Sequence, residues 1–282
     1  MMNFEHNKVL YSKHNGVAEI TLNRPEVLNA LDLDVHRALA SIWLDLEADP
    51  SIRVAVLQGA GERSFSVGQD LKETAELNKQ GASPSSYGSL GRAGYPRLTE
   101  RFDITKPIIA KVNGYALGGG FELALACDII VASNNAVFGL PEAQRGMVPG
   151  AGGVFRLMRQ LPCKVAMGYL LSGRNLSAKK AYELGLVNEM VESNELDQAV
   201  ASWTADLLRA SPLSLSSIKE AGYCSMDISL PACFQTVFPA EKKRLAGTDY
   251  IEGPRAFSEK REPNWEAVAQ DTTANTASKE RD

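Results

Sequence analysis

Two periodicities alternate along the first two thirds of the chain. Ala18, Ile20 and Leu22 are apolar while Glu19 and Thr21 between them are polar, the period of two that marks a half-buried strand. A β-prone run from Val9 to Ser12 precedes it, and His14-Asn15-Gly16 lies between, so the pattern predicts an opening hairpin turned at Asn-Gly. From Leu33 to Leu46 the spacing changes. Val35, Leu39, Ile42, Trp43 and Leu46 recur at helical intervals, which predicts a helix with one buried stripe behind a cap at Asp32. Val54-Ala55-Val56-Leu57, Ile108-Ile109-Ala110-Lys111-Val112 and Asp128-Ile129-Ile130-Val131-Ala132 read as short buried strands. Helical patterns follow at 166–171, 178–184, 196–210, 213–221 and 239–245, with a short strand expected at 186–191. A sheet-rich half is thus followed by a helical half.

Glycines punctuate this pattern where chemistry is expected. Gly118-Gly119-Gly120 would cost roughly 1 kcal/mol each inside a helix, so they are placed just before one that begins near Phe121. The unpaired amides there and the positive end of the helix dipole favour negative charge. Glu122, three residues after Gly119, brings a carboxylate to the same small volume. A base beside an oxyanion hole suggests enolate chemistry. In Phe65-Ser66-Val67-Gly68-Gln69-Asp70-Leu71-Lys72-Glu73, Asp70 and Glu73 form an acidic capping box, so a second helix should start after Gly68-Gln69 with the Gln69 amide at the junction. Strand, glycine turn and helix therefore occur twice, from Val54 through Gly68 and from Ile108 through Gly120. Pro149-Gly150-Ala151-Gly152-Gly153 reads as a further helix start with free amides. Asp128 is expected to be a hydrogen-bonded structural carboxylate. Residues 80–94 are small and polar, as in a mobile surface loop, and Pro96 suits the first turn of a short helix to Ile104.

Composition narrows the function. The 282 residues allow one domain with appendages or two smaller ones, and 44% hydrophobic with 23% charged residues is ordinary for a soluble enzyme. A formal charge of -4 without a dense Lys/Arg run offers nucleic acid no footprint. Cys127, Cys163, Cys224 and Cys233 lack Cys-x-x-Cys spacing, so they read as reduced thiols and no metal site is expected. No basic leader with an apolar run and no membrane-length apolar stretch is present, and a cytoplasmic, soluble protein is expected. His6, His14 and His36 all precede the glycine cluster and read as surface or turn residues. Proton transfer is therefore assigned to carboxylates.

The stretch Asn113-Gly114-Tyr115-Ala116-Leu117-Gly118-Gly119-Gly120-Phe121-Glu122-Leu123-Ala124-Leu125-Ala126-Cys127-Asp128-Ile129-Ile130 resembles the signature of the crotonase superfamily, the enoyl-CoA hydratases and isomerases. Asn23-Arg24-Pro25 resembles a segment that helps bind CoA in that family, and Phe138-Gly139-Leu140-Pro141-Glu142 resembles its Phe-Gly-x-Pro-Glu motif. The resemblance spans roughly Val9 to Trp265. It implies an α/β fold, a spiral of β-β-α units over residues 1–195 and a helical trimerisation region over 196–262; the polar composition of the last residues predicts a disordered tail over 263–282. It implies that the Gln69 and Gly119 amides form the oxyanion hole, although Gln stands where the family's Ala-Gly-Ala-Asp motif has Ala, and that Glu122 and Glu142 are the catalytic carboxylates. Val67, Gln69, Asp70, Leu71, Lys72, Gly118 and Gly119 are implied to contact substrate, with Phe257 and Lys260 near a neighbouring subunit's CoA.

The implied activity is addition of water to a 2,3-unsaturated acyl-CoA, or its reverse, since two carboxylates serve hydration better than isomerisation. No bound cofactor is implied beyond the CoA of the thioester, and the implied assembly is a homotrimer or a dimer of trimers. Leu140-Pro141-Glu142-Ala143 also resembles the carnitinyl-CoA dehydratase branch, which allows a functionalised acyl group. Isomerase, lyase and hydrolase activities remain alternatives, as does an acyl-CoA- or RNA-binding scaffold without catalysis.

Overall fold

A computed structural model describes residues 7–82, 86–91, 94–95 and 97–265. The opening hairpin forms as its alternation requires. β1 (Val9–His14) and β2 (Val17–Leu22) pair antiparallel, and the connecting Asn15 and Gly16 take φ of 49° and 80°, the left-handed geometry that matches the twist of a two-residue turn. α1 (Leu33–Ala48) follows. The Asp32 side chain caps it by accepting from the Val35 amide at 2.9 Å, and its apolar stripe is fully buried.

Three β-β-α steps then succeed one another. The first is β3 (Val54–Gly59), β4 (Ser64–Ser66) and α2 (Leu71–Lys79); the second is β5 (Ile108–Val112), β6 (Tyr115–Leu117) and α3 (Gly119–Ala126). The third is β7 (Ile129–Ser133) and β8 (Val137–Gly139), followed by a 3-10 turn (Glu142–Arg145) and α4 (Gly153–Gln160). α5 (Cys163–Ser172), β9 (Leu176–Ser177), α6 (Ala178–Glu183) and β10 (Glu189–Val191) complete this part.

The first strand of each step joins one sheet, of order β1-β2-β3-β5-β7-β10, and the second joins another, of order β4-β6-β8-β9. All pairings except β1 with β2 and β8 with β9 are parallel. The sequence marks only two of the three steps, because Leu140 and Pro141 stand in the third where the others carry glycine turns. Trp43, Phe65, Phe121 and Phe138 are the largest fully buried side chains, and the rings of Phe121 and Phe138 meet at 5.2 Å.

The chain divides into two compact units, residues 1–104 with 108–204, and residues 105–107 with 205–282; the sheets and the core just described belong to the first. α7 (Leu196–Arg209) contains the division. The second unit carries α8 (Pro212–Cys224), α9 (Leu230–Gln235), α10 (Pro239–Ala246) and α11 (Asp249–Glu259). α8 and α10 are joined where Glu241 accepts from Ser217 and Glu220 accepts from the Ala240 amide, at 2.6 and 2.7 Å. Leu230, Phe234 and Val237 of this unit are largely exposed.

Several expectations change in detail. Glu73 does not reach back to Asp70; it accepts from the Leu33 amide at 3.0 Å, so Asp70 caps α2 alone and Glu73 ties α2 to the start of α1. The strand expected at 186–191 shortens to β10 because the Leu186 and Val187 amides close the end of α6 on the Ala181 carbonyl. The described part of the 80–94 segment is bound down: Tyr95 Oη donates to the Ser86 carbonyl at 3.0 Å, and the Gly88 amide donates to the Gly150 carbonyl at 2.7 Å. Residues 83–85, 92, 93 and Pro96 lie outside the described residues, and only a 3-10 turn, Leu98–Glu100, stands where a short helix was expected. The expected tail falls outside them from residue 266 onward. Asp128 accepts from the Ile108 amide at 2.7 Å, the structural role its sequence position suggested.

Close packing of the second step on the first yields a paired prediction. A Cβ on Gly120 would stand 2.2 Å from the Ser66 carbonyl oxygen, whereas a Cβ on Gly168, inside α5, would meet nothing within 4 Å. Gly120→Ala is expected to lower the unfolding free energy by about 1–3 kcal/mol or more, and Gly168→Ala to raise it by about 0.5–1 kcal/mol, as read from urea denaturation.

Candidate active site

The short strands β4, β6 and β8 lie side by side in parallel, so their C-terminal ends release the chain in one direction. Residues 67–69, 118–119 and 140–142 follow directly from those ends, the place where parallel sheets commonly build ligand sites. They open on a cavity of about 850 Å³. The first two turns touch through their backbones. Gly68 has φ of 81° and a Cβ there would lie 2.5 Å from the Gly119 nitrogen, while a Cβ on Gly119 would lie 3.7 Å from the Gln69 nitrogen. Neither of these two amides has an acceptor among the described residues. The flanking groups do: Leu31 donates to the Gly68 carbonyl and accepts from the Asp70 amide, at 2.8 and 2.9 Å, which pins the chain on both sides of Gln69. Two fixed donors thereby face one another at the N-terminus of α3.

Two carboxylates share this cavity. Glu122, in the first turn of α3, is only 3% exposed, and its Oε1 accepts from the Gly153 amide at 2.8 Å. That amide opens α4, so the glycines expected to leave free donors instead supply the partner of Glu122. Burial raises the Glu122 pKa to about 8; the Gly153 hydrogen bond opposes the rise and the charge of Glu142 adds to it. Glu142 is 9% exposed, and its Oε2 is buried without a hydrogen-bond partner. Burial raises its pKa to about 7, against its own backbone amide and Arg145. A Cβ on Gly118, whose φ is 52°, would come within 3.1 Å of Glu142 Oε1. Glycine there leaves the carboxyl room beside the 118–119 turn.

Of the residues singled out in the sequence, Val67, Gln69, Asp70, Leu71, Lys72, Gly118, Gly119, Glu122 and Glu142 all line this one cavity. Phe257 and Lys260 belong to the second unit, at the end of α11, where Phe257 is exposed and Lys260 caps the helix in the left-handed region. The Arg24 guanidinium is bound internally, donating to the Ala30 carbonyl at 2.8 Å and to Asp70 at 3.0 Å, so it braces the 23–32 loop against the α2 cap.

The expectation for His36 is corrected. It is buried, it lines the cavity, and its Nε2 lies 2.9 Å from Gln69 Oε1. The signal was available, since His36 stands three residues before Leu39 and seven before Trp43, on the buried stripe of α1. His14 is exposed, and His6 lies outside the described residues.

Comparison with known proteins points the same way as this geometry. A family described as Enoyl-CoA hydratase/isomerase matches residues 12–268. Carnitinyl-CoA dehydratase of Citrobacter koseri is 40% identical over 90% of this chain and 97% of its own length, and that of Salmonella heidelberg is 41% identical over 91% and 97%. Among solved structures, an enoyl-CoA hydratase from Mycobacterium marinum matches with a TM-score of 0.82 and 38% identity, over 92% of this chain and 99% of its own.

The buried carboxyls set a pH dependence of stability. A raised carboxyl pKa means that the folded state holds its proton between the unfolded value of 4.5 and about 8, so stability falls as pH rises through that window. Gln keeps the acceptor for the Gly153 amide without the buried charge. Glu122→Gln is therefore expected to be more stable than the parent at pH 8.5, by on the order of 2 kcal/mol, and to lose that advantage at pH 5, as read by denaturant unfolding at both values.

Proposed function

The chain belongs to the enoyl-CoA hydratase/isomerase family, and from that premise we propose that it interconverts a 2-enoyl-CoA thioester and its 3-hydroxyacyl-CoA by adding or removing water. The observation that carries this reading is the pair of acceptor-free amides, Gln69 and Gly119, in one cavity with two buried, protonatable carboxyls. In it, the two N–H groups donate to the thioester oxygen and grip it harder as it becomes negative; losing one such donor typically costs about 2.7–4 kcal/mol of transition-state stabilisation. Glu122, as carboxylate, takes a proton from water while the water oxygen bonds to Cβ. The π electrons move toward the thioester oxygen, and Glu142, as acid, delivers a proton to Cα when the enolate collapses. A proton passing from Glu122 to Glu142 through water restores the resting state, and dehydration runs the same steps backwards.

Burial raises both carboxyls toward neutrality, Glu122 to about 8 and Glu142 to about 7, so each can hold or release a proton near neutral pH. The two groups titrate as a coupled pair, so the site can start from either end of the reaction.

In this reading CoA enters only as part of the substrate, and the exposed Lys72 at the start of α2 supplies positive charge for its phosphates. Identity to carnitinyl-CoA dehydratases supports an acyl group with polar substituents. The exposed Leu230, Phe234 and Val237 support self-association through the second unit, as a homotrimer or dimer of trimers. Phe257 and Lys260 then approach a neighbouring subunit's CoA.

Glu122→Gln and Glu142→Gln are each expected to lower kcat on crotonyl-CoA by about 10²- to 10⁴-fold, with product identified by mass spectrometry. Near-parental rates in both would remove the carboxylate assignment. Leu230→Glu with Phe234→Glu should shift the mass measured by light scattering toward that of one chain.

A further inference from the structure

Gln69 has two functions to separate. Its backbone amide faces the oxyanion position, but its side chain is held elsewhere: Oε1 lies 2.9 Å from Nε2 of His36. A carboxamide oxygen can only accept, so the imidazole donates from Nε2 and its Nδ1 carries the lone pair. Nδ1 is buried without a hydrogen-bond partner, the Tyr95 backbone lying beside it outside hydrogen-bonding geometry. An unpartnered lone pair costs less there than an unpartnered N–H, and burial holds the ring below its ordinary pKa, which keeps it neutral.

With its oxygen fixed, the Gln69 carboxamide presents its NH2 group outward. That group has no partner among the described residues, is not sealed from the cavity, and belongs to a residue that lines it together with His36 and Tyr95. Around them the same wall is apolar, formed by Leu31, Leu33 and Leu117. A plain alkyl chain in this cavity would leave two pre-aimed donors unpaired, and unpaired buried donors are costly.

We propose that the Gln69 side chain, positioned by His36, selects acyl groups that carry a hydrogen-bond acceptor oxygen beyond Cβ. Cα and Cβ are already committed to Glu142 and Glu122, so the recognised oxygen stands further along the chain. This inference rests on the acyl-CoA reading above. His36 touches no reacting atom in it; it is a positioning residue that fixes which end of the carboxamide meets the substrate.

Saturated thioesters cannot be hydrated and therefore report binding alone. Isothermal titration of the full-length protein with pentanoyl-CoA and with 4-oxopentanoyl-CoA compares ligands that differ by one carbonyl oxygen. The parent is expected to bind the oxo ligand about tenfold more tightly, the value of one well-made hydrogen bond. Gln69→Leu should abolish the ratio. His36→Leu should reduce it, and His36→Gln, which restores an N–H donor, should recover part of it; a purely structural role for His36 would change both affinities together and leave the ratio intact. Equal affinities in the parent, or a ratio that survives Gln69→Leu, would overturn the inference while leaving the acyl-CoA reading in place. Failure of both ligands to bind would overturn the inference and the acyl-CoA reading together.

Discussion

The site depends on two turns of main chain meeting with no side chain between them. Gly68 and Gly119 approach so closely that a methyl group on Gly68 would strike the Gly119 nitrogen, and Gly120 lies equally tight against the Ser66 carbonyl. This contact is what brings the Gln69 and Gly119 amides to a common volume while denying either an internal acceptor. Unbonded N–H groups normally destabilise a fold, and here the surrounding hydrogen bonds of Leu31 hold the chain in place regardless. The donors are therefore already oriented before any ligand arrives, and little reorganisation is left to the reaction.

Two helix N-termini converge on the same cavity with different tasks. That of α3 is left open, whereas the first amide of α4 is closed on Glu122. The hydrogen bond from Gly153 favours the ionised carboxyl and burial favours the neutral one, and the balance falls near neutrality. Glu142 reaches a similar balance by a different route, with one oxygen buried unpartnered and Arg145 nearby. Neither carboxyl would be poised this way on an exposed surface, so the second sheet and its short parallel strands contribute to the chemistry as well as to the fold.

Much of this was legible in the sequence, and the failures have identifiable causes. Buried parallel strands such as Ile108–Val112 announce themselves as apolar runs, and the glycines at 68 and 118–120 mark the two turns because nothing else fits there. The third β-β-α step was not recognised, since its turn is made by Leu140 and Pro141 and its second strand has three residues. His36 was missed because it was judged by its residue type rather than by its place on the α1 stripe. Partners distant in sequence, such as Gly153 for Glu122 or Leu33 for Glu73, leave no local trace. The capping box was read correctly as a helix start and wrongly as a closed pair for that reason.

Residues 69 and 119, whose amides meet in the cavity, are separated by a full strand-helix crossover, and the carboxyl of residue 142 waits on the one after. No stretch short enough to collapse by itself holds more than one of these parts. A nascent chain emerging from the ribosome would complete α1 and the hairpin, then the first turn, and still possess no anion site. The pocket exists only once the non-local parallel pairings of β4, β6 and β8 are all made, so its groups acquire their neighbours together with those pairings and not before.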